Sequence, residues 1–219
     1  MSELPDLYDG PHADIVGTTG SGKTTLAARM YENAPGVAIY VDPSGEVPVG
    51  GYVVDMSDGD AFDPADLAEH RRIVVIPPDG TGTEADMRFM SRLQEALFAI
   101  GDQIPHNRGR FYLFVDEAHE FAPLHAEGDN PIIRIAKRGR KRNIRLFMVS
   151  QSPADMSKKA VKQMEYHVIF AINQYDGDYL KRYGMPSDEI REAVGSPDEH
   201  KFVVYDGFAV SGPYRLDLG

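Results

Sequence analysis

The chain has 219 residues, 42% hydrophobic and 26% charged, which favours one domain able to bury its core without staples. It contains no Cys, which excludes disulfides and thiolate metal sites and fits a reducing, cytosolic setting. The net charge of −11 argues against a nonspecific nucleic-acid glue, which would normally be basic.

Charge effects are screened within about 10 Å, so its distribution matters more than the sum. From Asn130 to Ala154 there is no acidic residue, and Arg134, Lys137, Arg138, Arg140, Lys141, Arg142 and Arg145 form a basic stripe. No window approaches the roughly 18 apolar residues of a membrane span. The acidic start, Met1 to His12, does not read as a signal peptide and is taken as a short extension.

In chain order, Ala13 to Val16 is a short strand running into a Gly-rich loop, followed by a helix from about Gly22 to Asn33. Val37 to Val41 is a β-branched strand ending at Asp42. Gly51 to Val54 and Arg72 to Ile76 are further strands, separated by the acidic loop Asp55 to Asp66. Met87, Met90, Leu93, Leu97 and Ile100 recur near a 3.6 spacing and predict a helix over Glu84 to Ile100, its stripe facing the core. Arg110 to Val115 is apolar enough for a strand buried on both faces. Pro131 to Arg138 reads as a helix, Ile144 to Ser150 as the next central strand, and Val168 to Ile172 as another. Asp176 to Tyr183 and Ser187 to Val194 are helical, and Lys201 to Tyr205 with Ala209 to Leu216 form a hairpin about Asp206-Gly207. The alternation predicts an α/β fold with a mostly parallel central sheet flanked by helices, closed by a C-terminal hairpin within residues 200–217.

Gly17-Thr18-Thr19-Gly20-Ser21-Gly22-Lys23-Thr24 matches G-x-x-x-x-G-K-[ST], with Thr25 next in the helix. Gly20 and Gly22 permit a turn that aims N–H groups at phosphate oxygens, at a helix start whose dipole favours anions. Lys23 would reach the β and γ phosphates of ATP, and the Thr24 hydroxyl would hold Mg²⁺. Asp116 and Glu117 end the strand Phe111 to Val115; Asp116 would complete the Mg²⁺ shell and Glu117 would polarise the attacking water. Asp116 to His119 spell D-E-A-H, but a helicase needs two motor domains, so Ala118 and His119 read as incidental. Asn173-Gln-Tyr-Asp176 loosely matches a guanine-recognition motif, yet no D-x-x-G accompanies it, which favours ATP over GTP. Gln151, at the end of the strand after Asp116, can report nucleotide state. His12, His70, His106, His119, His125, His167 and His200 show no metal-ligand spacing and read as structural or solvated.

Taken together, these motifs resemble the HerA/FtsK superfamily of DNA-translocating ATPases. The resemblance rests on Gly17 to Thr24, on Asp42-Pro43-Ser44-Gly45-Glu46, on Asp116-Glu117, and on Arg140-Lys141 running on to Ser150-Gln151-Ser152-Pro153. The last stretch is similar to the family's R-K…(T/S)-Q-x-P and narrows the match; Ser152 departs where the family often has Arg. The resemblance implies a RecA-like/ASCE P-loop fold in a homo-oligomeric ring, a pentamer or hexamer. Arg140 would complete the neighbouring subunit's site, with Arg138 and Arg142 as rivals. Little chain flanks the motor, an extent similar to the small genome-packaging ATPases of membrane-containing icosahedral viruses, archaeal ones included. That implies double-stranded DNA and a procapsid or vertex protein as partners, no membrane insertion, and a place in the host cytoplasm or with the virion.

Lys158, Lys159 and Lys162 follow Gln151 on a basic helix, Ala154 to Lys162, that can face DNA phosphates in a central channel or simply solvent. Three other functions fit parts of the pattern. A cellular HerA-like or conjugation-type DNA pump keeps the chemistry. A P-loop small-molecule kinase would need a basic lid that the sequence does not display. A non-catalytic nucleotide-gated assembly factor is opposed by the intact Lys23 and Glu117.

Overall fold

A computed structural model describes residues 6–10, 12–104 and 110–217. Of the histidines, His106 lies outside them. Among the described residues nine strands form one sheet in the order β3-β4-β2-β5-β6-β1-β7-β8-β9. In chain order the elements are β1 (His12–Val16), α1 (Lys23–Asn33), β2 (Val37–Val41), β3 (Tyr52–Asp55), α2 (Asp66–Glu69), β4 (Arg72–Ile76), α3 (Glu84–Gly101) and β5 (Phe111–Val115). There follow α4 (Ala118–Phe121), α5 (Pro131–Arg138), β6 (Ile144–Ser150), α6 (Lys158–Val161), β7 (Tyr166–Ile169), α7 (Gly177–Arg182), α8 (Ser187–Val194), β8 (Lys201–Tyr205) and β9 (Val210–Arg215). The strands from β3 through β7 pair in parallel, and β8 and β9 add an antiparallel hairpin at one edge. This is the α/β class that the sequence predicts.

Alternation along the central strands sends side chains to two separate cores. On one face Ala13, Ile15, Ala38, Tyr40, Tyr112, Phe114, Phe147 and Val149 pack against Leu26, Ala27, Met30 and Tyr31 of α1. Phe114 and Phe147 stack there with centroids 4.5 Å apart. On the other, Val16, Ile39, Val41, Leu113, Val115, Leu146 and Met148 meet Phe89, Met90, Leu93 and Leu97 of α3 and Ile132, Ile133 and Ile135 of α5. Both faces of β5 and β6 are therefore covered, which is why β5 runs apolar without interruption and β6 is apolar apart from Arg145 and its terminal Ser150.

Buried polar groups tie the layers together. Arg72 donates to the carbonyls of Glu32, Ala34 and Gly36, satisfying acceptors that α1 leaves open at its C-terminus. Asp14, fully buried in β1, lies 2.9 Å from His167 Nδ1 and accepts from the Tyr179 hydroxyl at 2.6 Å, which pins α7 to β1 and β7.

Boundaries shift where tertiary contacts compete with the sheet. β7 ends at Ile169 rather than Ile172, because Phe170 and Ala171 turn to line the Gly-rich loop. The segment from Ala154 to Lys162 breaks into a 3-10 turn, Pro153–Asp155, and the four-residue α6. The basic stripe is also smaller than its sequence suggests. Arg145 is buried in β6, donates to the Leu7 carbonyl, and burial lowers its guanidinium to about 10. Among the described residues no helix is long and apolar enough to cross a membrane.

Candidate nucleotide site

Parallel strands end together, so the loops after β1, β2, β5 and β6 gather at one edge of the sheet. β6 lies between β1 and β5, which sets Gln151 between the Gly-rich loop and the Asp116-Glu117 pair.

The loop is held from both sides. Gly17 N–H donates to Ser150 O at 3.3 Å and Thr18 N–H to Ala171 O at 2.8 Å. Gly20 (φ 78°) and Gly22 (φ 103°) take left-handed backbone that L side chains rarely adopt. A Cβ on Gly17 would stand 2.7 Å from Phe170 Cβ and from Ser21 Oγ, so that position also requires glycine. α1 then begins at Lys23 with no side-chain cap and no acidic residue in its first turn. Its leading N–H groups are left for an outside acceptor, in an electrostatic setting that suits an anion. Lys23 is buried at this helix start, while Thr24 and Thr25 are half-buried. The C-terminal segment closes the loop from outside: Leu216 lies against Gly22, and His200 Nδ1 is 3.3 Å from Ser21 O.

Asp116 is 6% exposed; Oδ1 accepts from Glu117 N–H at 2.9 Å and Oδ2 from the Tyr40 hydroxyl at 3.1 Å. Burial raises its carboxyl above the usual range; the Glu117 N–H, the Tyr40 hydroxyl and Lys23 oppose this, and the Glu117 charge adds to it. A cation beside Asp116 would relieve that burial, so this carboxylate with the Thr24 hydroxyl fits a hard, oxygen-seeking ion such as Mg²⁺. Asp42 plays a different part. It accepts from Ser44 N–H and Oγ at 3.0 and 2.7 Å and from Val47 N–H at 2.9 Å, which spends its oxygens on shaping the loop after β2.

Glu117 has φ 43° and ψ 47°, left-handed backbone on a residue with a Cβ. Such strain persists only where the surroundings impose it, commonly at functional positions. Gln151 Oε1 accepts from Thr19 Oγ1 at 2.7 Å, so the end of β6 touches the Gly-rich loop directly. His119, read from sequence as incidental, lies in this site: Nδ1 is 3.1 Å from Ser150 Oγ and 3.4 Å from Glu117 Oε2. Sequence reasoning also missed Tyr40, and it named Ser150 only within the Ser150-Gln151-Ser152-Pro153 stretch, with no role of its own. Only the pairing of β2 with β5 and of β5 with β6 brings them to the acidic pair.

The arginines of the basic stripe stand elsewhere. Arg140 is exposed in a 3-10 turn before β6, while Gln151 follows that strand's last residue. Seven residues at about 3.3 Å each put the two at opposite sheet edges, about 20 Å apart. Arg140 therefore stands far from its own Gly-rich loop. Arg142 is committed to the fold: its Nε is 2.9 Å from Asp102 Oδ1, outside hydrogen-bond geometry, and its guanidinium lies 4.4 Å from the Phe98 ring centroid. Arg138 is exposed. Lys158 and Lys162 are exposed, and Lys159 pairs with Glu127 at 2.8 Å.

No family model matches the chain. It is 25% identical to the ESX-5 secretion system protein EccC5 of Mycobacterium marinum over 197 aligned residues, 77% of this chain and 13% of that protein. It is 33% identical over 100 residues to the DNA double-strand break repair helicase HerA of Pyrococcus furiosus, 44% of this chain and 18% of that protein. The chain thus spans less than a fifth of each of these curated relatives. In structure it superposes on the genome packaging NTPase B204 of Sulfolobus turreted icosahedral virus 2, solved with ATP-gammaS, with a TM-score of 0.72 and 18% identity. That match covers 94% of this chain and 97% of B204. The motifs, the local sequence relatives and the shared fold agree: the chain is similar to HerA/FtsK-type P-loop ATPases.

Proposed function

We propose that the protein is an ATP-hydrolysing motor that moves double-stranded DNA, sized and shaped for genome packaging, with each nucleotide shared between two copies in a ring. The observation that carries the hydrolysis reading is the meeting of the Gly-rich loop, Asp116-Glu117 and Gln151 at one sheet edge, joined by the Thr19–Gln151 hydrogen bond. Gly17 to Thr25 would wrap the phosphates, with Lys23 neutralising the β and γ groups. Thr24 and Asp116 would hold Mg²⁺, which supplies Lewis-acid polarisation of the phosphoryl oxygens. Glu117 takes a proton from water as the water oxygen bonds to the γ-phosphorus and the bond to the β,γ-bridging oxygen breaks, releasing ADP and phosphate.

The ring reading rests on the position of Arg140. At the far sheet edge it is useless to its own loop, but a second copy docked head to tail would bring it to the next site. Exposed Arg138, Arg140 and Lys141 cluster before β6 at the strand-start edge, which also carries Asp6, Asp9 and Glu165, whereas exposed Glu46, Asp58, Asp60, Asp79 and Glu84 sit near strand ends. DNA as cargo, a procapsid or vertex partner and a site in the cytoplasm or virion are supported by the likeness to B204 and HerA. Lys158, Lys159 and Lys162 remain the proposed DNA contacts. ATP turnover measured with and without duplex DNA tests the reading. Stimulation by the duplex is expected, whereas phosphate transfer to a metabolite without such stimulation would favour a small-molecule kinase.

A further inference from the structure

D-E-A-H ends on a residue that the hydrolysis scheme leaves unused. His119 follows the left-handed turn at Glu117 and opens toward the end of β6. Its Nδ1 stands 3.1 Å from Ser150 Oγ and 3.4 Å from Glu117 Oε2, while Nε2 stands 3.5 Å from Glu120 Oε1. Glu117 Oε2 is itself buried and has no hydrogen-bond partner. The carboxylate that would act as base thus leans on the imidazole without a full bond, an arrangement easily exchanged for another. Ser150 Oγ in turn accepts from Ser152 N–H at 3.0 Å. The residue between those two serines, Gln151, is bonded to Thr19 of the Gly-rich loop. A path therefore runs from the phosphate cradle through the Thr19–Gln151 hydrogen bond, along the backbone to Ser150, and through its contact with His119 to Glu117.

We propose that His119 is a positioning residue that sets the orientation of the Glu117 carboxylate and couples it, through Ser150, to whether Gln151 is engaged with the Gly-rich loop. The inference rests on the hydrolysis reading above. A proton on Nδ1 is shared between the Ser150 hydroxyl and the Glu117 carboxylate. When bound nucleotide draws Gln151 away from Thr19, the end of β6 moves Ser150, and the shared contact with Glu117 changes. The base is thereby turned toward water only when the cradle is filled.

Steady-state ATP turnover by His119→Ala, His119→Asn and Ser150→Ala tests this. His119→Ala should lose about 10- to 100-fold in kcat, the scale of a misplaced base, with KM for ATP within about threefold of wild type. Asn places an amide nitrogen near the Nδ1 position, so His119→Asn should recover most of the loss. Adding Ser150→Ala to His119→Ala should cost little more than His119→Ala alone, as expected of groups acting in series. A readout independent of turnover is the His119 imidazole resonance, assigned by its absence from His119→Asn. It should move when a non-hydrolysable ATP analogue saturates the protein, and Gln151→Ala should abolish that movement. Normal kcat in His119→Ala, an Asn variant as impaired as the Ala variant, or an imidazole resonance blind to nucleotide overturns the inference. Wild-type protein that binds the analogue and moves the resonance but never turns over ATP overturns the hydrolysis reading instead.

Discussion

Replacing Glu117 by glycine should stabilise the protein while abolishing hydrolysis. Glu117 adopts φ 43° and ψ 47°, where a residue with a Cβ pays roughly 1–2 kcal/mol. Glycine removes that penalty but costs roughly 0.5–1 kcal/mol through the greater freedom of the unfolded chain. The difference leaves a net gain of about 0.5–1 kcal/mol. For a chain of 219 residues this is a rise of about 1–4 °C in melting temperature. Scanning calorimetry without nucleotide, paired with an ATPase assay, reads both effects. Glu117→Ala retains the Cβ and should show no comparable backbone gain, while both variants should lose about 10²- to 10⁴-fold in turnover if Glu117 is the base. Equal melting gains from alanine and glycine would refute the strain argument, and near-normal turnover would refute the base assignment.

Two further predictions concern the fold around the site. Burial, with Arg145 acting in the same direction, lowers His12 to about 4, so the unfolded chain takes up its proton first. The stability this confers is complete above pH about 6.5 and is lost as pH falls toward about 4, by about 3 kcal/mol in order of magnitude. His12→Asn, which can still accept from Leu146 N–H, should flatten the melting-temperature profile across that window; an unchanged profile would sink the idea. Arg142→Ala should lower stability by about 1–2 kcal/mol through loss of the Asp102 pair and the Phe98 stacking, whereas Arg140→Ala should melt like wild type. Equal destabilisation by the two would contradict their separation into structural and exposed roles.

What the sequence could disclose was set by how local each constraint is. The Gly17 to Thr24 loop was legible because the geometry that cradles phosphate fixes residue types at fixed spacing. β6 was legible to the residue because Asn143 and the polar Ser150-Gln151-Ser152 bound a run that is apolar apart from Arg145. α2 and α4 escaped notice since four residues cannot display a helical period. Charge was misread where it is buried: Arg145 looks like one more cation of a surface stripe until β6 carries it inside. His119 and Tyr40 needed the sheet order, because their partners Ser150 and Asp116 lie 31 and 76 residues away.

The central claim, that each ATP is hydrolysed between two copies, is tested most directly by mixing two inactive variants. Lys23→Ala should fail to hold nucleotide, and Arg140→Ala should bind ATP without hydrolysing it. In a one-to-one mixture that assembles at random, about a quarter of head-to-tail interfaces pair an intact Gly-rich loop with an intact Arg140. The account predicts recovery of about that share of wild-type turnover. A mixture as inactive as its components, or an Arg140→Ala variant that hydrolyses ATP normally by itself, would contradict it.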